Sequence, residues 1–508
     1  MKYLHRRYYQ HYFSIIKSRL AKSPIVYRLA RGAFWSLIGN VISRLFTMVS
    51  SIAVARMLGK EGFGEIGMVL STLGVFGVLA GFGLGVTATK YIAEFRFSEP
   101  ARAGRITSLT VAVAFITSSL MLVACLLFAD FLSVQTLNRA GLAPLLYAGA
   151  LLLFFSSMGG VLSAALSGFE SFKVMAKINI WMGAFTIPIA ILLVWLYGTQ
   201  GAIASQTIIA AIGLILSAFA LTRECKLFEI KFIFSKDMWR ERMLLWRFSI
   251  PAMFSSVVVV PVTWLTNAIL VKQPNGFSEL GLFNAANQWR MLVLFIPALL
   301  TSVMLPILSE THGRANKDDF IRTVSLNLRT TLVTAFPFTV LVILLSEPLA
   351  HLYGREFIKC ENIIVVLMIS CFLAVVNGAV GTALAGSGQM WLGSAFNLGW
   401  AIALIISSIF FVSRYGGFGL GIAYLTAYLL HTIWVMSYVE FKLARSSISK
   451  NKNLMLFSLA VILSASYISL RVEGVIFVRV ILVLVSFIPF LQMFFAGMGK
   501  MKEYKGAS

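Results

Sequence analysis

Apolar residues along this chain run in unbroken blocks rather than alternating. Blocks of seventeen to twenty-five residues are long enough to cross a hydrocarbon layer of about 30 Å as helices. A membrane barrel would instead alternate apolar and polar positions over strands of about ten residues, and runs such as Val480 to Phe495 do not. The pattern predicts about fourteen transmembrane helices, at 33–55, 64–88, 106–128, 142–165, 178–197, 201–221, 249–271, 281–305, 330–346, 361–384, 391–413, 418–440, 453–470 and 480–498. The turn Tyr197-Gly198-Thr199-Gln200-Gly201 separates the fifth span from the sixth.

Polar positions inside the blocks have a helical period. In the first span Ser36, Asn40, Ser43, Arg44, Thr47 and Ser51 fall within an arc of about 100°. Such a stripe lines water or a polar partner; alternatively, its hydroxyls bond their own backbone or a neighbouring helix. The seventh span carries a similar face of Ser249, Ser256, Thr263 and Asn267, together with Pro251 and Pro261, which predict a bent helix. Arg44 and Arg290 stand well inside spans, where a charge costs about 2.5–3.5 kcal/mol on insertion scales. Arg290 shares one side of its helix with Asn284, Asn287 and Gln288, and no Asp or Glu lies deep in a span to pair with either arginine. A cation without a fixed counter-charge suits an anion, and the guanidinium fork matches phosphate. The competing reading has both arginines bonding backbone carbonyls or reaching out to the interface. His431, midway along the twelfth span, and Glu170, after the fourth, are candidates for proton or ion coupling, or else a packing histidine and a solvated charge.

The chain also repeats. Gly62-Phe63-Gly64-Glu65-Ile66-Gly67 returns 214 residues later as Gly276-Phe277-Ser278-Glu279-Leu280-Gly281. Ala165-Leu166-Ser167-Gly168, Asn179 and Tyr197-Gly198 each return 218 later, the last as Tyr415-Gly416. Each repeat holds six spans, so the halves enter the membrane in the same sense. Parallel repeats imply a pseudo-two-fold axis along the membrane normal and a path between the halves. The predicted layout is a basic amphipathic segment at 1–32, an N-lobe at 33–221, a basic linker at 222–248, a C-lobe at 249–440, an added helix pair at 453–498 and a tail at 499–508.

Composition agrees. Only 12% of the 508 residues are charged, about half of what a soluble surface uses. The net charge of +23 would suggest nucleic acid if it were clustered on a soluble surface. Its distribution says otherwise: with both termini placed inside, 32 of the 43 Lys and Arg fall in inner segments and 9 in outer loops. That is the positive-inside bias, with the linker and residues 1–32 meeting anionic lipid headgroups. No cleavable leader is evident, the four cysteines have no metal or disulfide spacing, and no Walker loop or catalytic constellation is visible. The expectation is a carrier, without metal, cofactor or enzymatic step.

The run Ser43-Arg44-Leu45, then Ala53-Val54-Ala55-Arg56-Met57-Leu58-Gly59-Lys60-Glu61-Gly62-Phe63-Gly64, resembles the start of polysaccharide-export flippases of the MOP superfamily. So do Gly83 to Ala93, and Pro297 with Leu305-Pro306-Ile307-Leu308-Ser309. The resemblance implies two six-helix lobes around a cationic cavity. It also implies an inner-membrane flippase moving undecaprenyl-diphosphate-linked oligosaccharide for O-antigen or exopolysaccharide, with a polymerase and a chain-length regulator as partners. In the related lipid II flippase the last helix pair forms a groove for the lipid tail, a role that 453–498 would inherit. That relative has a further cavity arginine where this chain has Ser50. Drug-exporting MATE relatives, the ion-coupled alternative, commonly place an acidic residue in the first span, and this chain has none.

Overall fold

The computed structural model describes residues 24–137, 139–250, 258–313, 317–471 and 476–506. Every regular element among them is helical, as a backbone in lipid requires. The α-helices are α1 (Pro24–Gly81), α2 (Leu84–Phe95), α3 (Pro100–Phe131), α4 (Ala143–Gly168), α5 (Phe172–Leu227), α6 (Val259–Val271) and α7 (Gly276–Gly313). They continue with α8 (Lys317–Leu344), α9 (Ser346–His351), α10 (Cys360–Gly386), α11 (Met390–Tyr438), α12 (Lys452–Arg471) and α13 (Ile476–Gly506). Among the described residues, eight helical segments are long and apolar enough to cross a membrane.

Three of these helices each run through two predicted spans, and each bends at one glycine. Gly59 in α1 has φ 69°, ψ 179°. Gly198 in α5 has φ 58°, ψ −132°, and Gly416 in α11 has φ 55°, ψ −132°. Left-handed φ with such ψ is nearly confined to glycine. The predicted turn at Tyr197–Gly201 and the short links left between predicted spans at 56–63 and 414–417 are therefore tight kinks within continuous helices. Residues 1–23 of the basic segment, and Pro251 and Ser256 of the seventh span, lie outside the described residues. Pro261 falls in the first turn of α6, where the missing N–H costs nothing. At the far end α13 continues as helix through most of the predicted tail, to Gly506.

The chain forms two compact units that do not follow sequence order. The first comprises Met1–Ser50, Phe76–Leu127 and Tyr147–Phe254. Its core packs Leu84, Ile92, Ile106, Leu162, Leu166 and Leu221 of α2 to α5, and Ile230 of the basic linker joins it. The linker is thus anchored to the fold. Its Glu241, 8% exposed, accepts from Arg102 Nε at 3.3 Å and Arg105 Nη2 at 3.0 Å. Around that anchor Ile233, Phe234, Met243 and Trp246 stay exposed among lysines and arginines, a composition suited to a headgroup layer. Glu241→Ala leaves two half-exposed guanidinium groups that rehydrate. The expected loss is therefore modest, about 1–2 kcal/mol, read as a lower melting temperature in detergent with the anchor alone affected.

The second unit comprises Ser51–Val75, Phe128–Leu146 and Ser255–Ser508. Two blocks from the first half of the sequence are therefore built into it. The added helices α12 and α13 dock on α8. Ser346 and Ser469 share a hydroxyl hydrogen bond of 2.9 Å, Asn451 Nδ2 donates to Ser325 Oγ at 2.8 Å, and Arg479 Nη1 donates to the Leu344 carbonyl at 3.3 Å.

Candidate substrate-binding site

The predicted polar residues divide between the two units. In the first unit the stripe of α1 is partly spent on packing. Asn40 Nδ2 donates to Ser36 Oγ at 3.3 Å, Asn179 Nδ2 donates to Asn40 Oδ1 at 3.5 Å, and Thr47 Oγ1 donates to the Ser43 carbonyl at 2.9 Å. A Cβ on Gly39 would lie 2.6 Å from Ala176 Cα, and one on Gly183 3.2 Å from Ser43 Cα. The Gly39–Ser43 side of α1 therefore abuts α5, while Arg44 and Thr47 stay exposed. In the same unit Glu170, at φ 60°, pairs with Arg96, whose Nη1 also donates to the Gly168 carbonyl at 3.0 Å. Arg96 is only 4% exposed. Glu170 thereby anchors the turn after α4 on a buried cation.

In the second unit Arg290 is 5% exposed. Its Nε donates to Asn287 Oδ1 at 2.8 Å, one turn earlier on α7, and its guanidinium lies 5.1 Å from the Tyr424 ring centre. Tyr424 meets Phe283, rings tilted, at 5.7 Å and leans towards Tyr428, which meets Trp400 at 5.4 Å. The charged and polar neighbours of Arg290 are Tyr424, Tyr428 and Cys371, and no carboxylate faces it among the described residues. Its Nη1 has no partner there, nor do the buried Asn284 Nδ2, Trp289 Nε1 and Trp400 Nε1. Buried polar groups normally find partners. The unspent guanidinium donor suits an acceptor-rich guest such as a phosphate or a sugar hydroxyl. Gly67 makes room for this arrangement, since a Cβ there would sit 1.9 Å from Asn284 Nδ2.

The other predicted residues of this unit have different neighbours. Gln288 donates to Ser51 Oγ and accepts from Tyr353 Oη at 3.0 Å, so both ends of its amide are engaged. Tyr353 is fully buried in the turn before α10, and burial pushes its phenol well above the ordinary range. Asn267 donates to Ser71 Oγ at 3.2 Å and keeps a free buried Oδ1. His431 is 8% exposed, with Nδ1 3.5 Å from Asn377 Nδ2. The tyrosines and Trp400 beside Arg290 were not singled out by sequence. Tyr424 and Tyr428 sit one helical turn apart, which was the available signal.

A family model described as polysaccharide biosynthesis protein matches residues 29–312. The EPS I polysaccharide export inner membrane protein EpsE of Ralstonia solanacearum is 22% identical over 398 residues, covering 76% of this chain and 88% of that protein. The lipid III flippase of Escherichia coli strain K12 is 25% identical over 318 residues, covering 61% of this chain and 74% of that one. Among solved structures, the lipid II flippase MurJ in its inward closed conformation superposes with a TM-score of 0.68 at 13% identity, covering 91% of this chain and 99% of that chain.

Proposed function

This chain belongs to the polysaccharide biosynthesis protein family, and from that premise we propose that it carries a lipid-linked oligosaccharide across the inner membrane by alternating access. The observation that carries the reading is Arg290: a buried guanidinium with an unspent donor, an aromatic neighbour and no facing carboxylate. Such a group suits the diphosphate that joins a sugar head to its polyprenyl tail. In the second unit Arg290, Asn284, Asn287 and Asn267 are assigned to that head group, with Gln288 supporting the helix. In the first unit Arg44, with Asn40, Ser43 and Thr47, is assigned contact with the same cargo. His431 and Glu170 remain the coupling assignments, and the unit delivered passes to a polymerase and chain-length regulator.

Fourteen spans in two like-oriented repeats belong to the same proposal. The matching backbone angles of Gly198 and Gly416, 218 residues apart, support the repeat. The distribution of lysine and arginine supports termini on the inner face. The alternative, an ion-coupled small-molecule exporter, would call for an acidic residue in the first span, 33–55, which holds none.

A deletion strain tests the reading. Lipid-linked repeat units are expected to accumulate on the inner leaflet and surface glycan to be lost, both restored by the gene on a plasmid. Normal surface glycan in a strain with no second flippase would refute it.

A further inference from the structure

Outside the site, the densest set of specific contacts in the second unit lies where early segments of the chain meet late ones. The repeated motif packs against its own counterpart, backbone on backbone. A Cβ on Gly64 would lie 1.8 Å from the Phe277 carbonyl oxygen, and one on Gly281 would lie 1.9 Å from that of Lys60. Arg139, from the turn between α3 and α4, clamps this crossing. Its Nη1 binds Glu61 Oε1 at 2.7 Å, its Nη2 binds Glu65, and its guanidinium lies 5.0 Å from the Phe277 ring centre. Arg56 Nε donates to the Leu352 carbonyl at 2.6 Å, and Glu356 Oε2 accepts the Lys60 N–H at 3.3 Å beside the Gly59 kink. Every one of these bonds ties a first-half residue to a second-half residue or to its clamp. All lie in the predicted loops 56–63, 129–141, 272–280 and 347–360 or in the first residues of the spans that follow them, and the charge count places these loops on one side, the outer one.

The chemistry of this junction differs from that of a permanent interface. A cavity of about 580 Å³ flanks it, lined by Lys60, Glu61, Ser278 and Arg355 among others. A second, of about 310 Å³, is lined by Glu61, Arg139, Lys272 and Gln273. Glu61 and Arg139 are 57% and 38% exposed, so that pair is wet and weak, whereas Glu65, 15% exposed, makes the tighter bond to Arg139. Phe63, beside the glycine crossing, meets Tyr353 and Phe357 at 6.4 and 6.1 Å, so opening also parts these rings. Because one cation, Arg139, holds both carboxylates, the charge at this single position biases the population of the closed junction.

We propose that Arg139 is the positioning residue of a latch that closes the outer end of the carrier, and that its release from Glu61 and Glu65 lets the cargo leave. The proposal rests on the transport reading above, and its test reads the latch without the cargo. Met68 is fully buried one turn beyond Gly64 on the same helix face. Met68→Cys therefore reports opening when intact cells meet a membrane-impermeant maleimide. In the Met68→Cys background, Arg139→Glu is expected to raise the labelling rate about tenfold and Arg139→Gln about threefold to fivefold. Adding Glu61→Arg and Glu65→Arg to Arg139→Glu is expected to restore protection, and Arg139→Lys to keep most of it. The series is run with Cys360→Ser, because Cys360 lies in the same outer loops, and an unchanged melting temperature in detergent, which a collapsed fold would lower, is part of the expected result. An unchanged rate in both Arg139→Glu and Arg139→Gln, or a swap that restores nothing, overturns the latch. Labelling that follows the charge at Arg139 in a chain whose deletion leaves surface glycan normal would keep the latch and refute the cargo.

Discussion

Arg290→Met is expected to reduce glycan export about 100-fold while leaving the melting temperature in detergent unchanged or raised. The two halves of this prediction come from one observation. Arg290 is a cation 5% exposed, held by the Asn287 oxygen, the Tyr428 hydroxyl and the Tyr424 ring, with Nη1 unspent and no carboxylate facing it among the described residues. A charge kept in this state destabilises the fold that holds it, and an apolar side chain of similar volume removes that cost. Transport moves the opposite way. A guanidinium meeting a phosphate contributes charge-assisted hydrogen bonds of about 1.5–3 kcal/mol, and losing the upper end of that range is about 100-fold. Arg290→Lys keeps the charge without the fork and should retain part of the export. Arg44→Ala should lose export as well, less completely, because Arg44 is exposed and water can fill its place. The measurement is surface glycan in the deletion strain, complemented at matched protein levels, alongside a thermal shift of the purified variants. Full export by both Arg290→Met and Arg44→Ala would remove them from the site. A steep fall in melting temperature with Arg290→Met would make Arg290 a structural residue.

Much of this was written in the order of the residues. The apolar blocks foretold the helices, and Tyr197-Gly198 with Tyr415-Gly416 marked two kinks that share one backbone conformation. The isolation of Arg290 was also legible, because the sequence holds no acid deep within any span. What periodicity could not show is what covers a face once it is defined. Gln288 shares one side of its helix with Arg290, yet its amide is spent on Ser51 and Tyr353. Arg139 counted as one charge among nine in outer loops; its grip on Glu61 and Glu65 depends on a turn some 75 residues away in sequence. The incorporation of Ser51–Val75 and Phe128–Leu146 into the second unit is likewise non-local. Local pattern carries no record of it, because the contacts that draw both blocks in, such as those of Arg56 and Arg139, are made to residues far away in sequence.

Gly64→Ala is expected to be among the most damaging single methyl additions in the chain. Alanine normally favours a helix over glycine by about 1 kcal/mol, and Gly378→Ala, with nothing within 4 Å of its new Cβ, should show that gain as a small rise in melting temperature. At Gly64 the same methyl would meet the Phe277 carbonyl oxygen at 1.8 Å, the Phe277 carbonyl carbon at 2.7 Å and the Gly281 nitrogen at 3.0 Å. All three are backbone atoms, which cannot turn aside as a side chain tip would, so the crossing itself must widen. The expected cost is about 3 kcal/mol or more, at the upper end of overpacking, and Gly281→Ala should behave alike because its methyl meets Lys60 and Gly64 backbone. The pair discriminates between two causes of damage. Two independent clashes would add, whereas one crossing forced apart by the first methyl already has room for the second. The double variant should therefore fall only slightly below either single one, a strongly non-additive result. Additive losses, or a Gly64→Ala protein as stable as Gly378→Ala, would mean that the two repeated motifs do not touch.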